Sequence, residues 1–140
     1  MTTRLEHFNV TVPDIDASID FLKIIAPDYK TRRDEISEIG YRWAHVGNEE
    51  SYIALQEPHP GFESMAPLET YRNHGVNHIG LIIENADRTE KKLLEKGYKP
   101  NGPMIVDTHR KRIYFYDQAG FEWEMVEYLS ESFDEKYLYE

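Results

Sequence analysis

An internal repeat constrains this chain more than any other feature. Leu5-Glu6-His7-Phe8 lies 71 residues before Val76-Asn77-His78-Ile79. RWAHVGNEESYIALQE (Arg42–Glu57) falls without gaps on RIYFYDQAGFEWEMVE (Arg112–Glu127) at an offset of 70. Few residues are identical. What repeats is the order of elements, the offset and the parity of residues along each strand. A long repeat is read first, because each copy is one supersecondary unit and overlooking it misassigns the fold.

The first copy opens with LEHFNVTV, which alternates as a half-buried strand does. Phe8, Val10 and Val12 share one face, while His7, Asn9 and Thr11 share the other. Asp14 suits a helix N-cap, and Ile15, Ile19, Phe21, Leu22 and Ile25 then give a helical stripe that ends near Pro27. Strands are expected near Tyr29–Ile36, Tyr41–Val46 and Ser51–Gln56, with turns at Gly40 and Gly47-Asn48. A loop from Pro58-His59-Pro60-Gly61 runs to about His74. The second copy has a strand at Val76–Ile83 and a helix at Asp87–Lys96 closed by Gly97. Strands follow near Met104–Asp107, Arg112–Asp117 and Phe121–Tyr128. The organisation is therefore βαβββ twice: module one about 3–57, a linker loop 58–75, module two about 76–128 and a tail 129–140, all in one domain.

Composition narrows the function. Sixteen Lys and Arg against 26 Asp and Glu leave a formal charge of −10 and a pI near 5.0. Such a surface repels phosphate backbones and anionic lipid, so neither nucleic acid nor membrane is an expected partner. The basic strip His109-Arg110-Lys111-Arg112 is the local exception, read as a solvated turn able to hold a substrate anion. The chain has no cysteine, which excludes disulfides, thiolate metal sites and a cysteine nucleophile. With no signal-peptide pattern and no long apolar run, a soluble cytoplasmic protein is expected.

Two βαβββ units, each opening with a His-bearing strand, resemble the vicinal oxygen chelate superfamily. Its members include glyoxalase I, extradiol dioxygenases, and fosfomycin and bleomycin resistance proteins. The more specific motifs are NHIGLII and YDQAGFEWEMVEY, the latter similar to the family's closing strand. The resemblance implies an α+β fold whose two modules form a curved, half-open mixed sheet around a central cavity. It also implies a homodimer and a small-molecule substrate.

The same resemblance implies a metal site. His7 and His78 would be equivalent ligands, and Glu124 on the last strand the carboxylate. The ion would be divalent Fe, Zn, Ni or Mn, metals that imidazole and carboxylate suit. Glyoxalase-like members add a first-module carboxylate where this chain has Ala54. Gln56, on the same face, is a possible fourth ligand, while Glu57 has the wrong parity. Two histidines and one carboxylate match the facial triad of non-haem iron oxygenases. The dioxygenases also place a tyrosine where Tyr114 stands, ten residues before Glu124. Tyr114 and His45, the latter aligned with Phe115, are expected as catalytic or second-layer groups. Arg112 and its repeat partner Arg42 are weaker candidates for substrate binding.

The expectation is a metal-dependent enzyme acting on a small molecule with vicinal oxygens, either a lyase or isomerase or an extradiol-type dioxygenase. The alternative is a metal-free sequestration protein of the bleomycin-resistance type.

Overall fold

The computed structural model describes residues 1–63 and 69–139. Residues 64–68 of the expected linker loop lie outside the described residues, as does residue 140. The chain divides into two compact units, Met1–Pro67 and Leu68–Glu140. The fold is α+β, with two βαβββ-like modules and mixed sheets.

The first unit contains β1 (His7–Thr11), α1 (Ile15–Ile25), β2 (Lys30–Ile36), β3 (Arg42–Gly47) and β4 (Tyr52–Gln56). Its strand order is β1-β4-β3-β2, with β1 parallel to β4 and the other pairs antiparallel. Asp14 caps α1 by accepting from Ala17 N at 3.1 Å. The Glu57 carboxylate takes a second free donor of that first turn, Ile15 N, at 3.3 Å. Ile15, Ser18, Phe21, Leu22 and Ile25 form the buried stripe, with Ile19 at its margin. The stripe packs on the sheet face that carries Ala44, Val46, Ile53 and Leu55. Each large apolar side chain buried there stabilises the unit by about 1.5–3 kcal/mol. The opposite face carries His7, Asn9 and Thr11, as the alternation of β1 requires.

The second unit contains β5 (His78–Ile82), α2 (Ala86–Glu95), β6 (Lys99–Pro100), β7 (Ile105–Val106), β8 (Arg110–Tyr116), β9 (Glu122–Tyr128) and a short α3 (Phe133–Lys136). The order β5-β9-β8-β6 repeats that of the first unit, except that β6 and β7 both pair with β8 where a single strand was expected. Pro103 sits between these two short pieces and lacks the N–H that continued pairing needs. Asn85 caps α2 through Arg88 N, and Glu127 accepts from Ala86 N at 2.7 Å, as Glu57 does for α1. Gly97, at φ 84°, closes the helix, with Tyr98 N bonded to Leu93 O. Leu93 and Ala86 pack against the face formed by Ile113, Phe115, Trp123 and Met125.

The ladders correct the gapless alignment. Gly47 pairs with Tyr52, leaving a four-residue loop, whereas Tyr116 pairs with Glu122 across five residues. The first hairpin is one residue shorter, so β3 maps onto β8 at an offset of 69 while β4 maps onto β9 at 70. Gly47 permits the short loop, because a Cβ there would overlap the Ser51 carbonyl and Tyr52. His45 is thus the counterpart of Tyr114, not of Phe115. Arg42 is the counterpart of Lys111, not of Arg112.

Arg110–Arg112 begin β8 rather than a turn, with His109 in the bend just before it, and the strip's side chains find acidic partners within the unit. Arg110 and Arg112 donate to Asp107 at 3.1 and 3.0 Å, Lys111 to Asp87 at 2.5 Å, and His109 lies 3.8 Å from Glu135. The tail rests on this strand, with the Arg110 guanidinium 4.7 Å from the Tyr139 ring centroid. Among the described residues, no helix is long and apolar enough to cross a membrane.

Candidate functional site

In the second unit, strand parity gathers the chemistry on the face turned away from α2. His78 pairs with Glu122 and Gly80 with Glu124 across β5–β9. Tyr116, Tyr114 and Arg112 pair with Glu122, Glu124 and Val126 across β8–β9. His78, both glutamates and both tyrosines therefore share one surface. His78 Nε2 stands 3.0 Å from Glu124 Oε2, and its ring meets Tyr114 edge-on at 5.8 Å. Tyr114 hydrogen-bonds Glu124, and burial first, then that carboxylate, push its phenol above the usual range. It is a proton donor at neutral pH.

Glu122 is the most buried charge on this face, with 2% of its surface exposed. A carboxylate withdrawn from water needs several donors. Tyr71 OH and Asn101 Nδ2 both donate to it, Tyr116 adds a third hydrogen bond, and His78 Nδ1 lies 3.5 Å away. Tyr71 OH also lies 3.1 Å from His78 Nδ1. Burial of the phenol tip, then the Glu122 hydrogen bond, push Tyr71 up to about 12, although its ring is largely exposed. Sequence reasoning did not single out Tyr116 and missed Tyr71 and Asn101, which sit in loops with no periodicity. An Asn-Gly pair at Asn101-Gly102 was the only local signal.

Arg112 lies on the same face beyond Tyr114. One Nη2 donates to Asp107, while its buried Nε has no hydrogen-bond partner among the described residues. Arg42 is placed elsewhere. It has the opposite parity and donates to Asp34 at 2.8 and 2.9 Å and to Asp16 at 2.9 Å. Lys111 makes the matching bond to Asp87 in the second unit. Both cations brace sheet against helix.

The matching face of the first unit is aromatic rather than acidic. His7 stacks on Tyr52 at 4.7 Å and 13°, Tyr52 meets His45 at 4.7 Å, and His45 meets Trp43 at 5.0 Å. His7 Nδ1 is 3.3 Å from Glu6. Burial, followed by the charges of His7 and nearby arginines, holds His45 below its ordinary pKa. Ala54 lies between Asn9 and His45 in the ladder, on the rung that Glu124 occupies in the other sheet. Gln56 shares the face, paired with Thr11 and Trp43. Tyr52 stands where the second unit has Glu122.

The donor set suits a divalent cation. A neutral imidazole nitrogen and a carboxylate oxygen 3.0 Å apart repel through their lone pairs unless a proton or metal ion lies between them. Among the described residues, however, no three His, Asp or Glu side chains are grouped closely enough to hold a metal.

The sequence profile of the Glyoxalase/Bleomycin resistance protein/Dioxygenase superfamily matches residues 6–115, well over half of the chain. No curated protein matches it in sequence. Among solved structures the chain is similar to a glyoxalase family protein from Bacillus cereus, with a TM-score of 0.78 at 16% identity over 93% of this chain and 97% of that one. It is also similar to a variant of the fosfomycin resistance protein FosX from Listeria monocytogenes, complexed with Mn(II) and 1S,2S-dihydroxypropylphosphonic acid. That TM-score is 0.72 at 18% identity, over 97% and 98% of the two chains. A third is TnmS3, an antibiotic binding protein from a Streptomyces species, at 0.65 and 19%, over 91% and 97%. At these identities the likeness extends to the fold alone.

Proposed function

Because this chain belongs to the glyoxalase/bleomycin resistance protein/dioxygenase superfamily, we propose that it is a divalent-metal-dependent enzyme acting on a small molecule with two neighbouring oxygens. The proposed ligands are His7, His78 and Glu124, with Gln56 as a fourth. The 3.0 Å approach of His78 Nε2 to Glu124 carries the reading. His7 is included because it holds the rung of His78 in its own sheet, on the face free of helix.

A bound divalent ion supplies Lewis-acid stabilisation of charge developing on a chelated oxygen. The chain's own groups would do the rest. Tyr114, protonated at neutral pH, donates to Glu124 and can donate instead to a substrate oxygen. His45, kept neutral by burial, can accept a proton. Arg112, on the same face beside Tyr114, supplies the positive charge proposed to hold a substrate carboxylate. Ala54 and Tyr114 favour dioxygenase-type chemistry, in which open metal positions are wanted.

The aromatic row Trp43, His45, Tyr52 and His7 supports a second reading, metal-free sequestration of an aromatic ligand. Metal analysis after reconstitution with Fe, Zn, Ni or Mn separates the two. The enzyme reading requires about one ion per chain, lost in His78→Ala and Glu124→Ala. Loading below about 0.1 ion per chain sinks it and leaves sequestration. For a metal-loaded protein, oxygen uptake with catechols or consumption of a hemithioacetal then distinguishes the two chemistries.

A further inference from the structure

The first unit keeps a groove beside α1 that its own side chains do not fill. α1 packs on β3, one strand in from the outer strand β2. In the second unit α2 extends to the outer strand, β6. The helix side of the β2–β3 pair is therefore open where Thr31 and Val46 are ladder partners. The groove has a volume of about 230 Å³. Its floor is Leu22 and Val46, 1% and 2% exposed, and Ile19 and Tyr29 form its sides. Tyr29 is braced at both ends: its N–H donates to Ala26 O at 3.0 Å and its hydroxyl bonds Ser51 Oγ at 2.8 Å. The groove is thus preformed.

Two ammonium groups stand at its rim, Lys23 and Lys30. Lys23 has Asp20 at 3.6 Å, an exposed pair one helical turn apart that binds weakly. Lys30 pairs with no carboxylate among the described residues. The neighbouring acids are engaged elsewhere: Asp28 accepts from Asn48 Nδ2 at 2.8 Å, and Asp16 and Asp34 hold Arg42. On a chain of formal charge −10, this rim is locally cationic above an apolar floor. A ligand that matches both parts has a hydrocarbon body and an anionic head. Hydrocarbon laid on the floor leaves water, and a carboxylate at the rim gains charge-assisted hydrogen bonds. Size limits the body: an apolar cavity of about 150 Å³ takes benzene, whereas drug-sized ligands fill roughly 300–1,000 Å³.

We propose that this groove is a ligand site, separate from the one described above, for a short amphipathic carboxylate of about six to eight carbons. Its hydrocarbon lies on Leu22, Val46 and Ile19 beside the Tyr29 ring, and its carboxylate accepts from Lys30 Nζ and Lys23 Nζ. Tyr29 keeps its bond to Ser51, and no covalent bond is made or broken. The groove is on the helix-covered side of the sheet, opposite the face of His7 and His45, so the inference does not depend on the metal-enzyme reading.

The test is a titration of the full chain with sodium octanoate, followed by NMR of the Ile, Leu and Val methyl groups. Acetate, which lacks the tail, and octylammonium, which reverses the head, are the controls. Octanoate is expected to shift the methyls of Ile19, Leu22 and Val46 with a Kd of about 0.1–1 mM, and the controls are expected to leave them in place. Lys23→Glu with Lys30→Glu, both at exposed positions, should weaken octanoate about tenfold or more. Thr31→Trp, also at an exposed position, should fill the groove and abolish the shifts. Unmoved methyl signals elsewhere show that each variant is folded. Absence of shifts at these three residues, or octanoate binding undiminished in the charge-reversed protein, overturns the inference. A wild type without octanoate shifts that sediments as a dimer, split by Thr31→Trp, also overturns it and assigns the groove to a second copy of the chain.

Discussion

His45 and Tyr114 occupy the same rung of their respective sheets: His45 faces Ala54 across β3–β4 as Tyr114 faces Glu124 across β8–β9. One loop residue separates this pairing from the one read by gapless alignment. The consequence is a division of labour between copies of one motif. The second unit presents carboxylates and phenols, and the first presents imidazoles and aromatic rings, with a methyl group where its repeat carries the proposed ligand.

Ala54→Glu restores the absent carboxylate. It is expected to tighten Mn(II) or Zn(II) binding about tenfold, equivalent to about 1.4 kcal/mol, as measured by isothermal titration. Ala54 is 4% exposed, so the same change should cost about 1–3 kcal/mol of stability by urea unfolding. Unaltered metal affinity would count against the rung of Glu124 and Ala54 as a ligand position.

Arg42→Ala should leave ligand and metal affinity within about twofold of wild type, because its guanidinium is engaged by Asp34 and Asp16 on the helix side. Arg112→Ala should weaken binding of an anionic substrate. Equal losses from both substitutions would contradict the strand parity.

Gly47→Ala should destabilise the first unit by about 1–3 kcal/mol, since the added methyl overlaps the Ser51 carbonyl and Tyr52. Inserting one residue into the loop 48–51, to match the five-residue loop of the other hairpin, should recover part of that loss. Denaturant midpoints of the two variants give the comparison.

Asp117→Ala removes the acceptor for Trp123 Nε1 at 3.0 Å and for the turn amides of Ala119 and Phe121. Trp123 is only 3% exposed, so the carboxylate's bond to its N–H is lost away from bulk water. The expected loss is about 2 kcal/mol, and a wild-type thermal midpoint would show that water replaces the carboxylate.

His45 gives the first unit a pH dependence of known sign. Its folded pKa lies below the ordinary 6.5, chiefly through burial. As pH falls through 6.5 the unfolded chain takes up a proton that the folded unit resists. Stability present above that pH is therefore expected to decline below it, with a shallower slope for His45→Gln in urea titrations from neutral to mildly acidic pH. An identical slope would assign the dependence to other groups.

Much of this was legible in the residues. Asp14 caps the first helix as its type and place suggest, and the period-two alternation of LEHFNVTV and GFEWEMVE set which side chains share a face. Those signals are local, acting over one turn of helix or one strand, and so they survive in the sequence alone. The exact partner across a ladder is not local. The hairpin that moved His45 onto the rung of Tyr114 depends on a loop one residue shorter and on Gly47 lying against Ser51. Tyr71 was beyond sequence reasoning for the same cause. Its place beside His78 and Glu122 follows from a left-handed backbone bend and a bond to Asn77, contacts that exist only once the segment has folded back on its sheet.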